Sequence, residues 1–178
     1  MNIDQLPVVF VRHLMDANSS MFAKWYEKGL AVLRYETSSG EETLSIDPKD
    51  FNDSGRKAME RLLNYCKNGA LVVVDYNDYG FKNFLIGILQ PDSVITPLTE
   101  NVQVSTYHPK ELAYYRMVEL KDCIRLTHSD SWTRPLLVLQ PRQNSVVNWT
   151  VGNIDRYVKN LYNILAHPNL SSNLSVTD

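Results

Sequence analysis

Residues 69–89, GALVVVDYNDYGFKNFLIGIL, predict the hairpin around which the rest of the chain is organised. Ala70–Tyr76 and Lys82–Leu89 are apolar runs of strand length. The segment between them contains Asn, Asp and Gly, which favour a turn because they tolerate positive φ or hydrogen-bond their own backbone. Val, Ile, Leu and Phe are nearly continuous along both runs, which is typical of strands covered on both faces. We therefore expect a central, buried hairpin.

Helical and extended patterns alternate outward from this hairpin. Upstream, two strands alternate with two helices: Pro7–Val11, Met21–Lys28, Leu30–Tyr35 and Gly55–Lys67. Downstream, a loop with one or two short β pieces precedes four strands and an amphipathic helix: Pro91–Ser105, Tyr114–Leu120, Cys123–Leu126, Leu136–Leu139, Val146–Trp149 and Ile154–Leu165. Two helices among the early strands and one helix at the end predict an α+β fold, in which we expect about six or seven of the short strands to form one sheet. Short strands separated by turns favour a curved sheet closed into a small barrel.

Composition and charge are those of an ordinary globular domain. The chain has 178 residues, 44% of them hydrophobic, and a net charge of −2, so we expect a single domain over residues 1–167 and a polar, flexible tail over 168–178. The net charge argues against a generally basic coat and still allows a local basic face. No signal peptide or bilayer-spanning apolar run is evident, and the two cysteines show no pairing pattern. We therefore expect a cytoplasmic protein with no membrane contact.

Three short segments carry a family resemblance: NGALVVV at 68–74, FLIGI at 84–88 and YRMVEL at 115–120. A helix ending in Gly, a following apolar strand and a glycine-containing partner strand resemble the PUA-like superfamily. The similarity is to its EVE and YTH domains and to the N-terminal modules of modification-dependent restriction systems. Ala70 stands where those families have Asp after the Gly. The resemblance spans Pro7–Leu126. It implies a β-barrel that holds a flipped-out or single-stranded, often modified, base in an aromatic pocket, with a fused or neighbouring effector nuclease as a possible partner.

Aromatic and polar side chains near the hairpin turn are the candidates for binding such a base. A ring stacked on a base contributes about 1–3 kcal/mol, and carboxylates or amides can bond the edge of an extruded base. Core packing is the alternative for every ring and is favoured for Trp25, whereas rings at strand ends or in loops favour function. The predicted base-binding residues are Tyr76, Tyr79, Trp132, Asp75, Asn77 and Trp25. The predicted phosphate-binding residues, for which solvated surface is the alternative, are Arg12, His13, Lys82 and Arg134.

A second pattern suggests an enzyme. Pro91-Asp92 followed by Glu119-Leu120-Lys121 matches the PD…(D/E)xK arrangement of nucleases in which two carboxylates hold Mg²⁺ and the lysine helps to orient water. That chemistry places Glu119 and Lys121 on one face of one strand. The pattern is short and arises often by chance, so we expect a non-catalytic module, with the nuclease and a protein-interaction module as alternatives. No phosphate-cradling glycine loop or paired Cys/His motif occurs, and no cofactor or metal is predicted.

Overall fold

The computed structural model describes residues 2–12, 19–102, 111–141 and 146–167. Within these ranges there are eight strands and four α-helices. The strands are β1 (Val8–Arg12), β2 (Leu30–Leu33), β3 (Ala70–Asp78), β4 (Phe81–Leu89), β5 (Thr96–Val102), β6 (Glu111–Glu119), β7 (Lys121–Thr127) and β8 (Val146–Asn148). The helices are α1 (Ser19–Lys28), α2 (Asp53–Asn68), α3 (Arg134–Val138) and α4 (Ile154–Ala166). The predicted α+β class is confirmed.

The strands divide between two sheets. Sheet A has five strands in the order β7-β4-β3-β1-β8, and sheet B has three in the order β2-β6-β5. β1 and β3 are parallel, with Arg12 opposite Asp75, and the other pairs in both sheets are antiparallel. The connection from β1 to β3 passes through α1, β2 and α2. Because β2 joins the other sheet, the described strands form two open sheets, and the predicted closed barrel is not found among them.

Sheet A is covered on both faces, as its continuous apolar strands predict. Val72 and Val74 belong to a core shared with α1, α2 and sheet B. Leu71 and Val73 point the other way, into a second core that includes Val158 of α4. Every residue of β3 from Ala70 to Tyr76 is buried, because successive side chains of a strand alternate between two faces that both lack solvent.

The entry into the hairpin follows the predicted helix stop. α2 ends at Asn68, and Gly69 follows with φ 82° and donates its N–H to the carbonyl of Tyr65 at 2.8 Å. Glycine adopts this left-handed φ without the penalty that a Cβ imposes. At its other end α2 is capped by Asn52, whose side chain accepts from the Gly55 N–H, so the helix begins two residues before the predicted start at Gly55.

One predicted strand is a helix. Leu136–Leu139 lies largely in α3, which begins at Arg134 and has Pro135 in its first turn. Proline suits this position because its missing N–H is not needed there and its φ is already helical. An apolar run of this length does not by itself distinguish a strand from a short helix. The predicted tail, residues 168–178, lies outside the described residues, and no described helix is long and apolar enough to cross a membrane.

Candidate functional site

One end of sheet A gathers most of the predicted site residues. Because β1 and β3 are parallel neighbours, their carboxyl ends place Arg12 beside Asp75. β4 runs antiparallel to β3 and to β7, so the hairpin turn and the residues after β7 lie at this same end. We call it the turn end of sheet A, defined by Arg12, Asp75, the tip of the β3–β4 hairpin at 77–82 and the segment 127–134.

A chain of hydrogen bonds crosses the turn end. The Asp75 side chain is 0% exposed, and its Oδ1 lies 2.9 Å from Nε2 of His128. Its Oδ2 accepts from the amide of Gln140 at 3.2 Å. The Gln140 Oε1 in turn accepts from the Arg12 guanidinium at 3.0 Å. We call these four residues the polar chain. A buried carboxylate is tolerated only where hydrogen-bond donors compensate for its lost hydration, and His128 and Gln140 are those donors.

The His128 imidazole is held in one orientation. Its ring lies against the ring of Phe84, with 4.6 Å between centroids. Its backbone N–H donates to the Lys82 carbonyl at 3.0 Å, and its carbonyl accepts from the Thr133 hydroxyl at 3.0 Å. Because a carboxylate only accepts, the bond to Asp75 places the proton on Nε2. Nδ1 makes no hydrogen bond to any described residue, and the side chain is 12% exposed.

Two aromatic rings and three polar side chains at the turn end are exposed. Tyr79, at the tip of the β3–β4 hairpin, is 99% exposed. Trp132 is 48% exposed, and its carbonyl accepts from the Tyr157 hydroxyl at 2.7 Å, which ties its segment to α4. The remaining predicted site residues that face solvent at this end are Asn77, Lys82 and Arg134.

Tyr76 and Trp25 do not belong to this surface. Tyr76 is fully buried, donates its hydroxyl to the Leu30 carbonyl and packs edge-on against Phe22 and Tyr26. Burial raises the pKa of the Tyr76 phenol well above its usual value. Trp25 is also buried, among the rings of the same core. The expectation that these two rings line an open base pocket is therefore corrected: the protein's own side chains fill that space.

The burial of Tyr76 could have been predicted from the alternation of side chains along β3. Tyr76 follows Val72 and Val74 at a spacing of two, so it shares their inward face, whereas Asp75 points to the other side of sheet A. Two residues of the polar chain, His128 and Gln140, are absent from the predicted site because both lie after segments whose ends the sequence does not define. His13 lies outside the described residues.

The nuclease pattern falls at the opposite end of the sheet. Glu119 ends β6 and Lys121 begins β7, so the expectation that they share a strand is wrong. Their side chains form an exposed ion pair at 2.6 Å. Asp92 lies in the turn after β4 with φ 61° and is exposed. Within the described ranges, no group of three or more His, Cys, Asp or Glu side chains is arranged to hold a metal ion.

Comparison with known proteins found no relative of this chain. The chain matches no family model, no curated protein and no solved structure.

Proposed function

We propose that this protein is a non-catalytic nucleic-acid-binding module that contacts its ligand through the turn end of sheet A. The observation that supports the proposal is the gathering of two exposed rings, Tyr79 and Trp132, with the exposed cations Lys82 and Arg134 at one end of one sheet. Aromatic faces stack on bases of any sequence, and cations neutralise phosphates and release their counterions. The chain carries a net charge of −2, and Asp78 and Asp130 lie in the same two segments as Lys82 and Arg134, so we expect these cations to contact phosphates individually rather than through a net positive surface.

We assign base recognition to Asn77, on the same surface. Asn77 is exposed and follows the buried part of β3, and its amide offers both donors and an acceptor to a base edge. Asp75 has no exposed surface and acts as a positioning residue for its neighbours. The resemblance to base-recognising domains adds the expectation that the preferred base is a modified one.

Stacking is tested by fluorescence anisotropy with labelled single-stranded DNA and RNA, unmodified or carrying methylated or hydroxymethylated cytosine. Tyr79→Ala and Trp132→Ala should each weaken binding about 5- to 150-fold, the range that corresponds to one lost stacking contact. Val94→Ala is the matched control, since Val94 is 74% exposed and follows β4 at the opposite end of sheet A. If the wild type binds no oligonucleotide at low salt, or if both ring variants bind as well as Val94→Ala, the proposal fails.

The cations are tested through the salt dependence of the same binding reaction. Removing one phosphate contact makes the negative slope of log K against log salt less steep by about 0.7 for single strands. Lys82→Ala and Arg134→Ala should each produce this change, whereas Lys67→Ala should not, because Lys67 lies at the end of α2 beside the start of β3. Equal slopes for all three variants would place the contact surface elsewhere.

The two alternatives are separated by direct assays. A nuclease that uses Asp92, Glu119 and Lys121 would cleave DNA or RNA in the presence of Mg²⁺, and Glu119→Ala would abolish that cleavage. Such a result would replace the non-catalytic proposal. A protein-interaction module would bind none of the oligonucleotides, and its exposed rings would be protected by a protein partner instead.

A further inference from the structure

A cleft of about 540 Å³ lies between the end of α4 and the end of sheet A that is opposite the turn end. Its wall is largely apolar and continues the core between α4 and sheet A. The residues that form this wall are Ile3, Ile88, Ile124, Leu165 and Ala166. Voids inside packed cores are rarely larger than a water molecule, whereas clefts of about 300–1,000 Å³ hold small ligands. The cleft therefore has the size of a ligand site rather than of a packing defect.

A β-bulge positions Asp122 at this cleft. The pairing of β4 with β7 shifts by one residue at Gly87, which faces both Asp122 and Cys123. Asp122 has a φ of 49°, in the left-handed region that aspartate tolerates better than most residues. A bulge of this kind redirects a side chain, and Asp122 is both exposed and part of the cleft lining. Its charge acts on the neighbouring Tyr162, since burial and then the charge of Asp122 raise the pKa of that phenol to about 12.

The charges and acceptors around the cleft favour a cation. Asp122 forms no ion pair with a described residue, and no lysine or arginine is among the described residues that line the cleft. The neighbouring Lys121 is engaged with Glu119 at 2.6 Å. The Tyr162 hydroxyl donates to the Asp122 carbonyl at 2.6 Å, and its oxygen can still accept a hydrogen bond. The cleft also contains the last residues of α4 and its C-cap His167, and a helix C-terminus favours positive charge.

We propose that the cleft binds a small apolar amine. The ammonium group donates to the Asp122 carboxylate and the Tyr162 hydroxyl oxygen, and the apolar body covers the half-buried wall at Ile3 and Leu165. An anionic ligand is disfavoured, because the carboxylate and the carbonyl end of α4 repel it. The volume suits one small molecule, whereas a stable protein interface covers about 800 Å² of each partner. The site lies at the other end of sheet A from the proposed nucleic-acid surface, so this inference does not depend on the proposed function.

An NMR titration of the full chain tests the proposal with 2-phenylethylamine, 2-phenylethanol and 3-phenylpropanoate, which share one apolar body. The amine should shift the amide signals of residues 121–124 and 162–167. It should bind about 2- to 30-fold more tightly than the alcohol, as an exposed ion pair and a helix terminus together would give, and the carboxylate should bind more weakly than the alcohol. Asp122→Asn keeps a residue that tolerates positive φ and should lower the ratio of amine to alcohol affinity. Asp155→Asn is the control, because it removes the same charge from the first turn of α4 and should leave that ratio unchanged.

A second variant tests the location independently of charge. Ala166 is half-buried and lines the cleft, so Ala166→Trp should fill the space and remove the binding of amine and alcohol alike. The inference is overturned if the alcohol or the carboxylate binds as tightly as the amine, if Asp122→Asn leaves the ratio unchanged, or if millimolar amine does not shift the signals of the cleft. If N-acetyl-lysine amide binds more tightly than 2-phenylethylamine, the cleft takes a lysine side chain of a protein and the small-molecule assignment is refuted.

Discussion

Replacing Arg116 by methionine is expected to destabilise the protein strongly, because this arginine fastens an irregular segment to sheet B. Arg116 lies in β6 and is fully buried. Its guanidinium donates to the carbonyls of Ser45 at 3.0 Å, Tyr35 at 3.2 Å and Tyr114 at 3.4 Å, and also to that of Thr43. Three of these carbonyls, those of Tyr35, Thr43 and Ser45, belong to the segment between β2 and α2, which contains no long helix or strand.

The size of the effect follows from what each carbonyl loses. A hydrogen bond from a charged donor contributes about 1.5–3 kcal/mol, and a buried acceptor left alone costs about 1–3 kcal/mol. Thr43 and Ser45 are partly exposed and can take water instead, whereas Tyr35 is buried. Burial lowers the pKa of Arg116 to about 10, so the group is charged near neutral pH. We expect Arg116→Met to lower the free energy of unfolding by about 3–5 kcal/mol.

Urea unfolding followed by tryptophan fluorescence measures this change. Arg116→Lys keeps the charge but loses the planar fork, so its loss should be smaller, about 1–3 kcal/mol. The control is Arg56→Met, which removes an exposed ion pair with Asp53 at 2.8 Å and should change stability by less than about 1 kcal/mol. If Arg116→Met loses no more than Arg56→Met, the carbonyls find water without penalty and the fastening role is refuted.

Four further predictions concern packing, thiols, pH and the site. Gly87→Ala would place a methyl group 2.7 Å from Sγ of Cys123, and urea unfolding should show a loss of about 1–3 kcal/mol from overpacking; wild-type stability would show that Cys123 can move aside. Burial raises the pKa of the Cys66 thiol to about 11, so mass spectrometry should show slow alkylation of Cys66 in the native protein and rapid alkylation in urea. Because that pKa lies above the ordinary thiol pKa of 9.0, the stability contributed by protonated Cys66 is complete below about pH 9 and is lost as pH rises through the folded pKa; Cys66→Ala should flatten the measured decline over that interval. Asp75→Asn places an amide where the side chains of His128 and Gln140 meet a buried carboxylate, and urea unfolding should show a loss of about 1–3 kcal/mol from the buried groups left without a matching partner; wild-type stability would contradict the positioning role of Asp75.

Local sequence signals predict the elements of this fold better than their assembly. The end of α2 before Gly69 and the hairpin that follows depend on neighbouring residues. Both are found, with the strands extended to Asp78 and Phe81, into the predicted turn. Gly69 is determined by the positive φ that its position requires. The two apolar runs pair with each other across a short turn, so their pairing does not depend on distant parts of the chain. The prediction for Leu136–Leu139 failed because a short apolar run fits either a strand or a helix until the position of Pro135 is considered.

The arrangement of strands depends on contacts between distant residues. Nothing in the Leu30–Leu33 run indicates that it joins β6 in a second sheet rather than closing a barrel with β1 and β3. The same dependence on distant contacts explains why only some residues of the site were predicted. Arg12 and Asp75 were predicted separately and are neighbours only because β1 and β3 are parallel. Gln140 is brought to them by the chain after α3, whose path no local pattern describes.

The position of β1 in sheet A has a consequence for how the protein is made. β1 lies between β3 and β8, so during synthesis this strand finds one neighbour only after α2 has been made and the other only after α3. Pairing between segments so far apart in the chain pays a large loop-closure entropy and is slow. During that interval the apolar run Val8–Val11 lacks the sheet partners that it has in the folded protein, which makes this run a segment of the nascent chain that is prone to aggregation.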